Sequence, residues 1–394
     1  MQAARASKRA LISGGGIAGP VLAMFLHQAG IEAVVYEGRP EPDDEAGAFL
    51  NLAPNGLAVL DALGLRREVE AAGTPTAAIA FYNHRGKRLG ENPERTVLLK
   101  RGALNGSLRQ AAIGRGIPVE FGKRLAAVET TPRGTAVAHF EDGTEAEGNL
   151  LVGCDGIRSA TRSSVFPEAP GPRYTGVLDC GAFTRVPDAG PADGVMRMTF
   201  GKEAFFGYQV APSGEVYWFQ NFHRATEPDR EELREIPSRE YRRRLLEMHG
   251  EDHAPIAEII GSTQGPIERW PLYEMPPIPR WYRGPVCVAG DAAHATTPHV
   301  GQGASLAMED AIVLAKCLRD LADTGAAFAA YQRIRKRRVE KIAAMARRTG
   351  NHKSPSGSLG RAVRDLVLPM FLKMGVRANE PVYSYRVGWD EEVA

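Results

Sequence analysis

The sequence has no dominant charge, no cysteine framework and no long uncharged apolar run. Its 49 Lys and Arg nearly match 47 Asp and Glu, leaving a formal net charge of +2 over 394 residues. Such balance gives no global electrostatic ground for binding nucleic acid or an anionic membrane. The one basic run, RIRKRRVEK at 333–341, lies inside a helical pattern and reads as a solvated helix face. Cys154, Cys180, Cys287 and Cys317 stand far apart with no CxxC pair. That excludes a zinc ribbon or a disulfide scaffold, so no metal is expected, and it suits a cytoplasmic protein. No apolar stretch approaches the ~18–20 residues that span a bilayer. The late stretch DLVLPMFLKMGV is too short and holds a proline, which leaves only a peripheral contact open. The basic N-terminus, MQAARASKRALIS, runs into glycines after a short apolar run, which marks a strand and not a signal-peptide core.

What is present is ordinary globular material, 43% hydrophobic and 24% charged, enough for a substantial core in two or three domains. RALIS reads as a buried strand. GGGIAGPVLAMFLHQAG is a glycine turn opening a helix, with Leu22, Phe25, Leu26 and Ala29 on one face. Pro20 falls in the first turn, where a missing N–H does no harm. EAVVYEG is a second strand, completing a βαβ unit that begins a doubly wound sheet. Within it, Gly14-x-Gly16-x-x-Gly19 carries a phosphate-binding pattern. The first glycine permits a tight turn, the second a close approach of pyrophosphate, and the third close helix–strand packing. Glu37 ends the second strand, where a carboxylate can accept ribose hydroxyls. Followed by Arg39, it points to FAD more than to NAD.

Further along, PNGLAVLDALGL is a helix, and the segment 117–148 turns to strands with a hairpin signal at Asp142 and Gly143. GNLLVGCDG is another buried strand. From Tyr174 to Phe222 the pattern is antiparallel sheet rich in aromatics. The segment 229–250 is one charged helix, GPVCVAGD returns as a buried strand, and 305–348 is one long helix. HKSPSGSLG breaks it before a final helix and tail. These elements imply an α/β dinucleotide-binding domain interrupted by a mostly antiparallel sheet.

Two more strand ends carry chemistry. CDGIRSATR places Asp155 and Gly156 after a strand, with Arg158, Ser159 and Arg162 behind. This suits a pyrophosphate-bearing ligand, although an acid capping a helix gives the same pattern. GDAAHATTPHVGQGASLAMEDA places Asp291 at a strand's carboxyl end. Gly301 and Gly303 allow a flat ring to approach the backbone, and a helix beginning near Ser305 aims its N–H groups at that ring. His294 reads as structural and His299 as a loop residue beside Pro298. A triad of Ser305, His294 and Asp291 is rejected, because no nucleophile elbow supports it.

Together these motifs resemble the single-component FAD-dependent aromatic hydroxylases, the p-hydroxybenzoate hydroxylase-like group that includes salicylate hydroxylase, urate hydroxylase and tetracycline-inactivating monooxygenases. GAFLNLAPNGLAVLDALGL, LKRGALNGSLRQAA and RWPLYEMPPIPRWYRGPVCVAGD are similar to its connecting signatures. The resemblance implies a Rossmann-like FAD-binding domain of the glutathione-reductase type, interrupted by a mostly antiparallel substrate domain, with a long C-terminal helix. FAD-binding segments would be 1–72, 99–175 and 271–348, substrate-domain segments 73–98 and 176–270, and the C-terminal helix and tail 349–394. It implies FAD held by Gly14, Gly16, Ile17, Ala18, Gly19, Glu37, Gly38, Arg39, Arg101, Asp155, Gly156 and Asp291. Pro298, Gly301, Gln302, Gly303, Ala304 and Ser305 would line the ring. Ala304-Ser305 departs from the x-Asn often found in the family. The implied chemistry is reduction of FAD by transiently bound NADH or NADPH, then insertion of one oxygen atom of O2 into an aromatic or polycyclic small molecule through a flavin C4a-hydroperoxide. Hydroxylation leads; epoxidation, Baeyer–Villiger insertion or a non-oxygenating reductase are the alternatives. No protein nucleophile is required; Pro298 and His299 stand beside the flavin, and Phe206, Tyr208 and Trp218 are the expected substrate contacts.

Overall fold

The computed structural model describes residues 8–45, 47–351 and 357–393. Runs of Val, Leu, Ile and Ala bounded by glycines make a six-stranded, mostly parallel sheet. In spatial order its strands are β16 (Tyr282–Arg283), β17 (Val286–Val288), β10 (Leu150–Gly153), β1 (Arg9–Ser13), β2 (Glu32–Tyr36) and β6 (Val119–Glu120). Only β16 runs antiparallel to its neighbour. β1, β2 and β10 are buried almost throughout, as parallel strands covered on both faces must be. Helix α1 (Ala18–Gln28) lies on one face, with α4 (Arg101–Gly114) and α10 (Gly303–Asp320) packed against it. The meander of β7 (Leu125–Thr130), β8 (Ala136–Phe140) and β9 (Glu145–Gly148) touches β1 and β10.

The second sheet has eight strands in the order β15 (Glu268–Glu274), β11 (Arg173–Arg185), β14 (Glu215–His223), β13 (Phe205–Val210), β12 (Val195–Phe200), β4 (Thr74–Asn83), β5 (Arg88–Lys100) and β3 (Phe49–Leu52). All its pairings are antiparallel except β12 with β4. Strand alternation gives this sheet two different faces. On the outer face, Cys180, Ala182, Phe206, Tyr208, Val216 and Trp218 form a core with α7 (Ser238–His249) and α8 (Ile256–Ser262). On the inner face, Phe183, Phe205, Tyr217 and Phe219 look toward Phe49 and the C-terminal helix α12 (Gly357–Tyr383).

The remaining helices are α2 (Pro54–Ala62), α3 (Arg66–Ala72), α5 (Ala160–Val165), α6 (Arg230–Glu235), α9 (Asp291–His294) and α11 (Thr324–Asn351). Three sequence expectations change. The charged helix at 229–250 divides at Ile236 and Pro237 into α6 and α7, because the residue before a proline is pushed out of the helical region. The long helix expected over 305–348 is two, α10 and α11, since Leu321 is extended and ends the first. β3, expected within the first FAD-binding segment, pairs with β5 at the edge of the large sheet. Most of the expected break HKSPSGSLG lies outside the described residues.

Candidate active site

The glycine turn sorts its three glycines by what surrounds them. Gly14 has φ +110°, and a Cβ there would lie 2.3 Å from the Cys154 carbonyl oxygen. A Cβ on Gly19 would lie 2.0 Å from the Gly14 carbonyl oxygen. Both glycines are fixed by packing. A Cβ on Gly16 would meet no atom within 4 Å, so nothing in the fold itself demands glycine there. α1 starts beside it with Ile17 at the N-cap and no side-chain cap, leaving backbone N–H groups free for an anion. Glu37 closes β2 and folds back on the turn: Oε2 accepts from Gly15 N at 2.7 Å and Oε1 from Arg39 N at 2.9 Å. Gly38 follows against Arg124. Among the described residues the Arg39 guanidinium forms only a long 3.9 Å pair with Asp43. Arg101 opens α4, exposed, with no hydrogen bond or ion pair to its guanidinium among the described residues.

At the second strand end, Asp155 Oδ2 accepts from both the backbone N and the Oγ1 of Thr161 at 2.9 Å. Its Oδ1 is buried with no partner. Gly156 has φ +79°, a backbone state that favours glycine. Ser159, not Asp155, caps α5, accepting from Arg162 N at 2.8 Å. Arg162 reaches away to the Ala292 and Ile157 carbonyls, tying this segment to the third one.

The third segment leaves β17 through Gly290, at φ +60°, into α9. The Asp291 carboxylate has no hydrogen bond or ion pair among the described residues. A 3-10 turn at Pro298–Val300 follows, then Gly301 in the left-handed region. Pro298 and Gly301 are exposed, and a Cβ at Gly301 or Gly303 would meet nothing within 4 Å. α10 begins at Gly303, two residues before the expected start, with Gln302 at the N-cap and no side-chain cap. The N–H groups of Gly303, Ala304 and Ser305 therefore begin an 18-residue helix without a capping acceptor. The Thr296 and Thr297 hydroxyls beside this loop are buried without partners.

Beneath the loop lies a buried polar network that the sequence reading missed. Gln302 is fully buried, and its Oε1 accepts from Asn55 Nδ2 at 2.8 Å. The same amide donates to Glu309 Oε1 at 2.7 Å. Arg338 forks onto Glu309 at 2.8 and 2.9 Å, and Arg335 forms an ion pair with Glu309 at 2.6 Å and donates from Nε to Asp310 at 2.7 Å. Asp310 also accepts from Gly290 N at 2.9 Å and bonds His294 Nε2 at 2.5 Å. Burial alone would raise the Asp310 pKa. The His294 and Arg335 charges outweigh it and hold the carboxyl well below the usual carboxylate range. The network ties both ends of the loop, Gly290 and Gln302, to α10 and α11.

Several expectations are corrected by this geometry. Arg335 is fully buried and Arg338 largely so, so part of the basic run is internal wiring and not a solvated face. The Gln302 side chain turns inward to Asn55 and does not line the loop's open side. The Ser305 hydroxyl is buried against α2, within 2.6 Å of where a Gly56 Cβ would sit, leaving only its backbone N–H for a ring. His294, in contrast, keeps its structural reading, buried and committed to Asp310. Phe206, Tyr208 and Trp218 are at most 3% exposed and pack under α7 and α8, on the face turned away from Phe49.

Open-facing glycines, an orphaned Asp155 oxygen, a free Asp291 and two uncapped helix N-termini fit a dinucleotide carrying a flat ring. The class is a doubly wound α/β protein built to hold FAD. The family described as FAD binding domain matches residues 8–346. Aurachin C monooxygenase/isomerase of Stigmatella aurantiaca is 33% identical, over 86% of this chain and 88% of that protein. FAD-dependent urate hydroxylase of Klebsiella pneumoniae is 31% identical, over 86% and 89%. The crystal structure of Klebsiella pneumoniae HpxO with FAD and uric acid matches with a TM-score of 0.81 at 25% identity, covering 96% of this chain and 95% of that one. The chain belongs to this FAD-binding family and is an FAD-dependent monooxygenase.

Proposed function

We propose that this enzyme hydroxylates a planar aromatic or heteroaromatic small molecule against the inner face of the large sheet, using NAD(P)H and O2. One observation carries the reading. Phe49, Phe183, Tyr217 and Phe219 stand edge to face with centroids 5.0–6.2 Å apart, each only half-buried. Lys100 Nζ sits 4.6 Å over the Phe183 ring. Half-open aromatic walls with a few polar groups suit a flat ring, and relatives named for urate and 6-hydroxynicotinate act on such rings.

FAD, when bound, supplies the redox chemistry, taking a hydride from the nicotinamide and passing electrons to O2. The chain's own residues bind, neutralise and shield. The Gly14–Gly19 turn and α1 N-terminus take the pyrophosphate, Glu37 the ribose, and Arg101, Asp155 and Asp291 further polar groups of the cofactor. The N–H groups at the start of α10 offset negative charge on the reduced ring. The Asn55–Gln302–Glu309 bonds hold that helix start in place, and the aromatic wall excludes water and orients the ring to be hydroxylated. The test is turnover of candidate aromatic substrates with NAD(P)H under isotopically labelled O2. One labelled oxygen atom in a product supports the reading; anaerobic turnover, or product oxygen drawn from water, contradicts it.

A further inference from the structure

Helix α12 carries its polarity inside out. At about 100° per residue, Arg361, Arg364, Asp365, Leu368 and Leu372 fall on one side, and Ala362, Val363, Leu366, Val367 and Met370 on the other. The side bearing the charges is the one that packs inward. Asp365 accepts from Asn83 Nδ2 at 2.8 Å, Arg364 lies 4.8 Å over the Phe200 ring, Leu368 joins the Phe200–Phe205 cluster and Leu372 covers Gly90. Between positions 361 and 372 the outward side holds no charged residue, and Val363, Leu366 and Met370 are 54%, 80% and 60% exposed. A surface helix normally does the opposite.

The turn between β4 and β5 meets α12 through the Asn83–Asp365 bond and presents Arg85 and Lys87, both exposed and without an ion-pair partner among the described residues. His84, in the same turn, has its pKa pushed down by burial and then by the Arg85 and Arg361 charges, with Asp252 and Asp365 opposing less. Arg85 and Arg361 thus both act on His84, with Asp252 and Asp365 the acids that face it. We propose that this face of α12, flanked by Arg85 and Lys87, docks the protein on an anionic bilayer surface. The apolar ridge would enter the headgroup–acyl boundary while the cations meet lipid phosphates. The contact is peripheral, because no described helix is long and apolar enough to cross a membrane. A second copy of the chain is the poorer occupant. Val363, Leu366 and Met370 are the large exposed apolar side chains of the ridge, few against the roughly 20–30 residues a side of a standard interface.

The test is flotation of the full FAD-loaded chain with vesicles of phosphatidylcholine alone and of phosphatidylcholine mixed with phosphatidylglycerol. Flotation is expected with the mixed vesicles only, weakening as salt rises. Leu366→Asp with Met370→Asp, and separately Arg85→Glu with Lys87→Glu, should each lower vesicle affinity about tenfold or more. Both pairs are exposed, and unchanged flavin content in the variants reports an intact fold. A wild-type chain that stays in the dense fraction, or variants that float as it does, overturns the proposal. So does a dimer in light scattering that the Leu366→Asp/Met370→Asp chain loses, which would give the face to a second copy.

Discussion

Two glycines three residues apart answer to different physics. A Cβ at Gly19 would collide with the Gly14 carbonyl at 2.0 Å, whereas one at Gly16 meets nothing. Gly19→Ala should therefore fail to fold or lose several kcal/mol, on the order of 3 kcal/mol or more, read in a thermal melt. Gly16→Val should melt near the wild type without FAD and lose FAD affinity by about a hundredfold or more, read by flavin fluorescence titration. Glu94 is a second residue with an environment of its own. Burial raises its pKa to about 7, and its charge in turn raises the Tyr383 pKa after burial. A carboxyl with a raised native pKa binds its proton more tightly folded than unfolded. Its contribution is thus fully present below the ordinary Glu value and lost as pH climbs through about 7. Glu94→Gln should remove that loss, making the variant more stable than wild type at pH 8 by on the order of 1–2 kcal/mol after discounting for partial exposure. Equal melting temperatures at pH 5 and pH 8 for both proteins would refute this.

At the scale of elements, β14 separates two kinds of aromatic by alternation alone. Trp218→Ala removes a side chain from the core under α7 and α8 and should cost about 3–5 kcal/mol while leaving kcat/KM of the folded fraction close to wild type. Phe219→Ala, one position on, should cost far less stability and lower kcat/KM by about tenfold or more; the reverse pattern would place the substrate on the wrong face. The aromatics themselves were legible in the sequence. Which face they served was not, because a period of two states that faces differ and says nothing about which one the later helices α7 and α8 will cover. The acid pair Glu309 and Asp310 was not legible as a network, because its partners Arg335 and Arg338 lie on the next helix, and the break at Leu321 between α10 and α11 was masked by continuous helical patterning. Arg335→Met tests that joint. It withdraws the buried cation that two buried carboxylates share, leaving Arg338 on Glu309 and His294 on Asp310, and should cost about 3–5 kcal/mol, measured by denaturant unfolding.

Across the whole molecule, the glycine turn, the Asp155 segment and the Asp291 loop come from remote stretches of chain and meet at the carboxyl ends of β1, β10 and β17, adjacent strands of one parallel sheet. Their convergence was readable in advance because glycines and strand-end acids answer to backbone chemistry that leaves a local signature. The buried wiring beneath the loop was not, since it depends on how α10 and α11 fold against α2. The central claim is that these three segments form one flavin site, and FAD titration of the apoprotein tests it most directly. One FAD per chain, taken up with a bound-flavin spectrum by the wild type and lost in Gly16→Val and in Asp291→Ala, is the result this account predicts. A chain that takes up no FAD, or both variants binding it as tightly as the wild type, would contradict it.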